Sequence, residues 1–296
     1  MIQKQKDMIN LPRFPLFIPS KGRYNTNFTA NYLDLMGVSY RIVVEPQEYD
    51  LYLEKIKDKN KLLILDMSYK ETYDYCDDFG TTKGTGSGPA RSFIWDTAKK
   101  EGYEYHWIMD DNIKSFRILN HNEKVKVTNG KIFKSMEDFV LRYKNVYMAG
   151  PHYTFFHPAR MKRPPFFLNS RVYSCNLIKT DIPFKWRGRY NEDTILSLDI
   201  LKAGYCTILF NMFLQEKMTT MTVKGGNDEI YAKGTLEKSN MLVREHPEYA
   251  TLTRKYNRWH HHVNYKVFEK KNVLVRKYPK EEIPKSVDYK LVKATI

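Results

Sequence analysis

Two adjacent carboxylates and an amide follow an apolar run near the middle of the chain. Residues 105–109 read YHWIM, and Asp110, Asp111 and Asn112 come directly after them. Adjacent carboxylates repel each other unless a cation or hydrogen bonds offset the repulsion, and oxygen ligands of this kind suit magnesium or manganese. A solvated turn is the alternative explanation. The triplet is therefore a candidate cation site.

A second acidic pair opens a predicted helix. The segment NEDTILSLDILKAGY starts at Asn191 and places Glu192 and Asp193 in the first helical turn. Carboxylates at this position are favoured by the helix dipole and cap free amide groups, which by itself accounts for Asp193. Because an independent acidic site occurs upstream, both residues are also candidates for a general base.

A glycine-rich loop precedes another predicted helix. Its sequence GTGSGPAR fits neither the P-loop nor the dinucleotide-binding fingerprint, so a flexible surface loop is one explanation. Pro89 suits the start of a helix that ends at Gly102. Arg91 lies two residues into this helix, where its guanidinium could bind phosphate or carboxylate through two hydrogen bonds.

Three consecutive histidines occur late in the chain, at positions 260–262. Imidazole is a common ligand of divalent transition metals. In an extended segment neighbouring side chains face opposite sides, so at most one face could serve a single ion. A surface aromatic patch or a nucleic-acid contact explains the segment equally well.

The elements that must position these residues alternate between strands and helices. PRFPLFIPSKGR (12–23) is typical of a strand that ends in a loop, and NTNFTANYLDLMGV has helical spacing. SYRIVVEP, PQEYDLYLEKIKDKN and KLLILD then predict a strand, a helix and a strand. This alternation predicts an α/β fold with a Rossmann-type, mostly parallel sheet. Ligands of such domains bind beyond the carboxyl ends of the strands, where the acidic triplet should lie.

Residues 113–190 interrupt the alternation. FRILNHNEKVKVTNGKIF predicts a hairpin with a turn at Asn129-Gly130, and a helix is expected from about Ser135 to Lys144. After the helix that starts at Asn191, CTILFNMFLQEK predicts a strand. We therefore divide the chain into residues 1–112, residues 113–220 with a basic insertion, and residues 221–296, a C-terminal extension with helices, the histidine segment and a basic tail.

The formal net charge of +15 is unevenly distributed. Residues 113–190 hold 16 basic and 4 acidic side chains, and residues 254–296 hold 12 and 4. This excess favours a polyanionic partner, although it could also simply keep a lysine-rich protein soluble. Basic residues interleaved with aromatic ones suit phosphate contacts and base stacking; ordinary strands with basic outer faces are the alternative. The candidate nucleic-acid-binding residues are Arg160, Lys162, Arg163, Lys185, Arg187 and Arg189. The candidate stacking residues are Phe166, Phe167, Tyr173, Trp186 and Tyr190.

Cysteine usage and hydropathy indicate the compartment. Cys76, Cys175 and Cys206 lie far apart without C-x-x-C spacing, so neither a disulfide framework nor a zinc knuckle is predicted. The N-terminal segment lacks the apolar stretch of a signal peptide, and no run of ~18 apolar residues could span a bilayer. We expect a cytoplasmic protein without a membrane partner.

The order of these segments resembles the nucleotide-sugar glycosyltransferases of the GT-A fold. More narrowly, IPSKGR, GTGSGPARSFIWDTAKKEGYEYHWIMDDNI and RWHHHVNY are similar to the TET-associated glycosyltransferases. This family occurs in phages and in some eukaryotic proteins and is linked to sugars on hydroxymethylated pyrimidines in DNA. The similarity covers roughly residues 14–265. It implies a nucleotide-sugar-binding half in residues 1–112 and an acceptor-binding half in residues 113–220.

The resemblance also implies roles for individual residues. Asp193 matches the catalytic base of inverting members, with Glu192 beside it. A divalent metal, Mn²⁺ or Mg²⁺, is implied as cofactor, with Asp111, Asn112 and His261 as ligands. Asn112 departs from the family pattern because it replaces the last carboxylate of a D-x-D motif. The implied nucleotide-sugar-binding residues are Pro19, Ser20, Lys21, Arg23, Glu45, Arg91, Asp110 and Asp111.

The function expected from this resemblance is sugar transfer to DNA. A phage-type, metal-dependent, inverting enzyme would transfer a sugar from a UDP-sugar to 5-hydroxymethylpyrimidine, first of all 5-hydroxymethylcytosine, in the host cytoplasm. Reaching a deep pocket requires an extruded or unpaired nucleotide. One alternative is the same fold acting on a protein or carbohydrate hydroxyl. A second is a nonenzymatic nucleic-acid-binding module.

Overall fold

The computed structural model describes residues 11–159, 163–218, 236–255 and 257–278. The strands in these ranges are β1 (Leu16–Pro19), β2 (Arg41–Val44), β3 (Leu62–Ile64), β4 (Tyr105–Met109), β5 (Ile113–Asn120), β6 (Glu123–Lys126), β7 (Val146–Tyr153), β8 (Phe166–Leu168), β9 (Cys175–Lys179), β10 (Cys206–Lys217), β11 (Ala250–Lys255) and β12 (Arg258–Val263). The α-helices are α1 (Phe28–Leu35), α2 (Tyr49–Ile56), α3 (Ser68–Thr72), α4 (Gly88–Lys100), α5 (Lys131–Val140), α6 (Glu192–Lys202) and α7 (Leu236–Glu245). Short 3₁₀ turns cover Pro46–Glu48, Lys59–Lys61, Gly80–Thr82 and Tyr265–Phe268.

One large sheet runs through the protein in the order β3-β2-β1-β4-β9-β7-β10-β5-β6, with β8 paired to β10. Strands β3, β2, β1 and β4 are parallel, as their crossover helices require. β9 runs antiparallel to β4 and β7, and β7 is parallel to β10. The predicted α/β class of the GT-A type is confirmed. The boundary predicted at residue 112 falls between two strands of this sheet.

Alternation along β1 shows how the sheet is covered on both faces. Leu16 and Ile18 belong to a core cluster that includes residues of α1, α2 and α5, whereas Phe17 belongs to a cluster with residues of α4 and α6. Successive side chains of a strand point to opposite faces, so two helical layers bury the sheet. The two layers hold the strand ends of the parallel half in fixed positions.

The second half differs locally from the sequence prediction. The hairpin of β5 and β6 turns at His121 and Asn122, which both have positive φ, and not at Asn129-Gly130. The Asn129 side chain instead accepts a hydrogen bond from the Lys131 amide at the start of α5. The helix expected from about Ser135 to Lys144 instead spans Lys131–Val140, because the Asn129 side chain closes an Asx turn directly before this helix and not a hairpin.

The described part of the C-terminal extension packs on α6. Ile195, Leu198 and Leu201 of that helix form a separate apolar cluster with Leu242, Ala250 and Phe268. The strands β11 and β12 make a two-stranded antiparallel sheet of their own, with the histidines on β12. No helix within the described ranges is long and apolar enough to span a membrane.

Candidate functional site

A cavity of about 330 Å³ opens at the carboxyl ends of β1, β2 and β4. We call it the first cavity. The structure brings to it the sequence-predicted residues Pro19, Ser20, Lys21, Arg23, Glu45, Arg91, Asp110, Asp111, Asn112, Glu192 and Asp193. Strand ends of the parallel half and the N-termini of α4 and α6 meet here. The carboxylates of the acidic triplet and of α6, distant in sequence, therefore share one cavity.

Arg91 connects the two acidic groups. Its side chain is only 1% exposed and its Nη2 lies 2.6 Å from Asp110 Oδ1. Nη1 lies 3.4 Å from Asp193 Oδ1, and Nε lies 3.7 Å from Glu192 Oε1. The single positive charge of this buried guanidinium is thus shared among three carboxylates, and its contacts fix their relative positions.

Asp110 has a second cationic partner. Lys217, the last residue of β10, places Nζ 2.5 Å from Asp110 Oδ2. Burial opposes ionisation of Asp110, but the charges of Lys217 and Arg91 outweigh it and lower the pKa of this carboxyl to about 2. Asp110 is therefore ionised at neutral pH.

Asp111 is held by residues of the first-strand loop. Ser20 Oγ donates a hydrogen bond to Asp111 Oδ2 at 2.8 Å, and Arg23 Nη1 lies 2.5 Å from Oδ1. Burial raises the pKa of Asp111 because it outweighs the opposing effect of Arg23 and Ser20. The loop after β1 and the end of β4 are consequently locked together.

The base candidate on α6 is oriented by β9. Asn176 Nδ2 donates to Asp193 Oδ1 at 2.8 Å, and the Ser174 amide donates to Oδ2 at 3.2 Å. Glu192 beside it accepts from Ser87 Oγ of the glycine-rich loop at 3.0 Å, and burial raises the pKa of Glu192. The carboxylate of Asp193 therefore has a defined direction.

Glu45 also lines the first cavity. Its Oε1 lies 2.6 Å from Lys70 Nζ and 3.4 Å from Lys21 Nζ. Burial opposes ionisation of Glu45, yet Lys70, Gln47 and Lys21 lower its pKa. This carboxylate at the end of β2 is therefore charged and hydrogen-bonded.

The predicted metal ligands do not form a coordination set. Both carboxylate oxygens of Asp110 and of Asp111 already contact Arg, Lys or Ser side chains. His261 lines a different cavity, and the pKa of His261 is lowered to about 3 by burial. Within the described ranges no group of three or more His, Cys, Asp or Glu side chains is arranged around a metal position. The residues present do not fit a divalent ion, although Asn112 Oδ1 is buried without a hydrogen-bond partner.

A second cavity adjoins the first. Arg171, Tyr173 and Thr194 line both, and Thr194 follows Asp193 directly. The second cavity has a volume of about 470 Å³ and is rich in aromatic side chains and histidines. Its further lining residues are His152, Phe156, Phe167, Ser170, Leu209, His261, His262, Val263 and Tyr265. Two separate ligands could therefore meet beside Asp193.

The predicted DNA-binding residues separate into two groups. Arg163 and Lys185 are exposed. Arg189 is buried, pairs with Asp77 and donates to main-chain carbonyls, so its guanidinium is engaged inside the fold. Arg187 also forms ion pairs within the fold, with Asp199 and Glu245. Arg160 and Lys162 lie outside the described residues.

The aromatic predictions also change. Trp186 and Tyr190 are each only 2% exposed, so stacking on a nucleic-acid base is excluded for them in this conformation. Phe155 and Phe156 are instead 90% and 55% exposed, and Phe156 lines the second cavity. Sequence reasoning passed over this pair. The sequence did offer an indication, because these two adjacent aromatic residues lie close to the basic residues at positions 160–163.

Four basic residues of the first cavity were also missed: Lys70, Arg171, Lys217 and Lys238. Burial, followed by the charge of Arg171, lowers the pKa of Lys238 to about 8. Seven cationic and five acidic side chains among the described residues line the cavity. Nothing in the local sequence marks the four, because they come from elements that only the fold brings together.

Fold and site together define the GT-A class of α/β enzymes, whose nucleotide-binding cavity lies at the end of a parallel half-sheet. The chain belongs to the TET-associated glycosyltransferase family, whose model matches residues 14–226. A search of the curated proteins found no match. Membership makes the protein a glycosyltransferase and implies a nucleotide-sugar donor and an acceptor among modified DNA bases.

Proposed function

We propose that the protein transfers a sugar from a UDP-sugar to the hydroxymethyl group of 5-hydroxymethylpyrimidine in DNA, first of all 5-hydroxymethylcytosine, with inversion at the anomeric carbon. The observation that carries the proposal is the convergence of Arg91, Asp110 and Asp193 on one cavity that adjoins a second, aromatic cavity. The first cavity takes the donor, and the second takes the acceptor nucleotide.

The roles follow from the contacts. Lys21, Arg23 and Glu45 bind the nucleotide, and Asp110 and Asp111 position the donor sugar together with their cationic partners. Asp193 takes the proton of the acceptor hydroxyl as the new bond forms to the anomeric carbon. Such a positioned base contributes typically ~10²–10⁴ in rate.

The acceptor side of the proposal is supported by exposed groups. Phe155 and Phe156 can stack an unpaired base, and each stacked base contributes ~1–3 kcal/mol. Arg163 lies with its guanidinium 6.0 Å from the centroid of the Phe167 ring, and can contact a phosphate. A base turned out of the duplex would bring its hydroxymethyl group toward Asp193 through the second cavity.

The test is a transfer assay. Hydroxymethylated DNA is incubated with several UDP-sugars, with Mn²⁺ or with EDTA, then digested to nucleosides for mass spectrometry. We expect one donor to add the mass of a sugar to 5-hydroxymethylcytosine or 5-hydroxymethyluracil, and unmodified DNA to stay unchanged. No mass shift with any donor would contradict the proposal. The manganese arm tests the metal predicted from sequence, which the residues of the cavity do not support.

A glycosyltransferase for a protein or carbohydrate hydroxyl is the second candidate. The two cavities would serve such an acceptor equally well, because the donor chemistry is the same. Exposed basic and aromatic side chains beside the second cavity favour DNA. Donor hydrolysis stimulated by a saccharide or peptide, and not by hydroxymethylated DNA, would favour this candidate.

A further inference from the structure

We propose that Lys217 serves as the built-in cation of the first cavity and binds the donor diphosphate where a divalent ion would otherwise be needed. This inference rests on the proposed nucleotide-sugar donor. It assigns a catalytic role to a residue for which the family resemblance gave none.

The path of β10 brings Lys217 to the acidic triplet. The pairing of β10 with β5 shifts in register between Glu216 and Lys217, so that Lys217 lies opposite Ile113. The next amide, of Met218, donates to the Asn112 carbonyl at 3.0 Å. This irregularity ends the strand beside the carboxyl end of β4, and such bulges often redirect a side chain next to an active site.

The Lys217 ammonium already binds one carboxylate oxygen of the candidate cation site, on Asp110. Lys217 Nζ is 2.5 Å from Asp110 Oδ2 and 2.9 Å from Ser174 Oγ. A Mg²⁺ ion binds at ~2.0–2.1 Å from its carboxylate oxygens. An ion bound to Asp110 Oδ2 would therefore clash with the Lys217 ammonium and be repelled by its positive charge. Lysine and metal are therefore alternatives at this position.

The ammonium is equipped to hold a phosphate oxygen. A lysine ammonium carries three hydrogens, and its contacts in the described structure direct two of them at Asp110 and Ser174. Burial would lower the pKa of Lys217, but Asp110 and neighbouring groups raise it above the usual lysine value, so the ammonium is charged at neutral pH. The third hydrogen can therefore be donated to the diphosphate.

The charge balance of the cavity agrees with this role. The side chains that line it in the described ranges include seven cations and five carboxylates, an excess of positive charge without any ion. A site built to receive a divalent metal needs uncompensated carboxylates, whereas an excess of cations suits an anionic ligand directly. The donor diphosphate supplies such an anion.

In the transfer step Lys217 exchanges no proton. The bond between the acceptor oxygen and the anomeric carbon forms as the bond from that carbon to the diphosphate oxygen breaks. The electron pair passes to the diphosphate, and the acceptor proton passes to Asp193. Negative charge that develops on the leaving oxygen is stabilised by the Lys217 ammonium and by Arg91, an interaction that strengthens toward the transition state.

The experiment compares the wild type with the variants Lys217→Met, Lys217→Arg and, as an exposed control, Lys99→Met. Calorimetric titrations with UDP and with uridine are made in EDTA, followed by transfer assays in EDTA and in Mn²⁺. We expect wild-type UDP binding and transfer to persist in EDTA. Lys217→Met should weaken UDP binding at least about tenfold and lower kcat about 10²–10³-fold. Uridine affinity should stay unchanged, because uridine has no phosphate, and Lys217→Arg should recover part of both losses.

Three outcomes would overturn the role of Lys217. They are wild-type transfer that requires Mn²⁺, unchanged UDP affinity in Lys217→Met, and an equal loss of uridine and UDP binding, which would indicate a structural role alone. Transfer that requires Mn²⁺ would leave the proposed function intact. UDP binding without metal but no transfer to any acceptor would instead support Lys217 and contradict the proposed function.

Discussion

Arg91 is the residue on which the geometry of the first cavity depends. It is 1% exposed, and its guanidinium contacts Asp110, Glu192 and Asp193. Truncating one partner of a buried ion pair leaves the other charges without compensation, which costs about 3–5 kcal/mol. The acidic residues of β4 and α6 would then repel each other across the cavity. Arg91 is in this sense a structural residue as well as a candidate phosphate ligand.

We expect Arg91→Met to lower the free energy of unfolding by about 3–5 kcal/mol. Urea denaturation measures the change. Arg41→Met is the matched control, because Arg41 pairs with Glu101 at the surface, where such a pair contributes about 0–1 kcal/mol. Equal losses of stability in both variants would contradict the central position assigned to Arg91.

Asp193 carries the chemical part of the proposal. Its carboxylate is directed by Asn176 and the Ser174 amide, and asparagine keeps nearly the same shape without the basicity. We expect Asp193→Asn to lower kcat by about 10²–10⁴ while the dissociation constant of UDP changes little. The exposed Asp181→Asn is the control. Turnover like that of the wild type in Asp193→Asn would remove the assignment of the base.

At the scale of the elements, α5 fastens the N-terminal segment to the sheet. Its Glu137 is fully buried and accepts hydrogen bonds from the Arg13 and Phe14 amides and from Trp107 Nε1. Burial raises the pKa of Glu137 to about 7. The folded protein therefore binds a proton more tightly than the unfolded chain between pH 4.5 and 7.

The sign of this shift gives a prediction. Stability that comes from protonated Glu137 is complete below about pH 4.5 and is lost as the pH rises to about 7, by roughly 2–3 kcal/mol. Glu137→Gln has no proton to lose. The free energy of unfolding of the wild type, measured relative to Glu137→Gln by urea denaturation, should therefore be smaller at pH 7.5 than at pH 5. A difference that does not change with pH would contradict the prediction.

At the scale of the whole molecule, the basic side chains fall into two groups, those in ion pairs within the fold and those exposed on the surface. Arg187 and Arg189 neutralise buried or partly buried carboxylates inside the fold. Arg163 and Lys185 remain exposed. The net charge of +15 is thus a poor measure of the positive charge open to a polyanionic partner, because part of the arginine content is structural.

We expect affinity for hydroxymethylated DNA to fall steeply between 50 and 200 mM salt, because phosphate contacts release counterions. Arg163→Ala and Lys185→Ala should each lower the slope of log K against log salt by about 1, and the remote Lys99→Ala should leave it unchanged. Fluorescence anisotropy measures the slopes. Binding that does not depend on salt would favour a protein or carbohydrate acceptor.

The sequence by itself determined the class of fold and the local surroundings of the main candidates. Alternating strand and helix patterns predicted the parallel half-sheet, and the acidic triplet was correctly expected at a strand end. These features depend on short-range periodicity and on capping or turn residues, which a sequence displays directly. At Asn129-Gly130 the hairpin prediction was wrong, because a turn sequence suits a hairpin and the start of a helix equally well and only the surrounding packing selects between them.

Tertiary structure alone decided which charges neighbour one another. Arg91 meets Asp193 across 102 positions of sequence, and Lys217 meets Asp110 across 107. The same packing buried Arg189 and placed His261 in the second cavity, away from the triplet. A sequence gives the sign of each charged side chain but not its position in space. The energy of an ion pair depends on distance and burial, and both are defined only once the chain has folded.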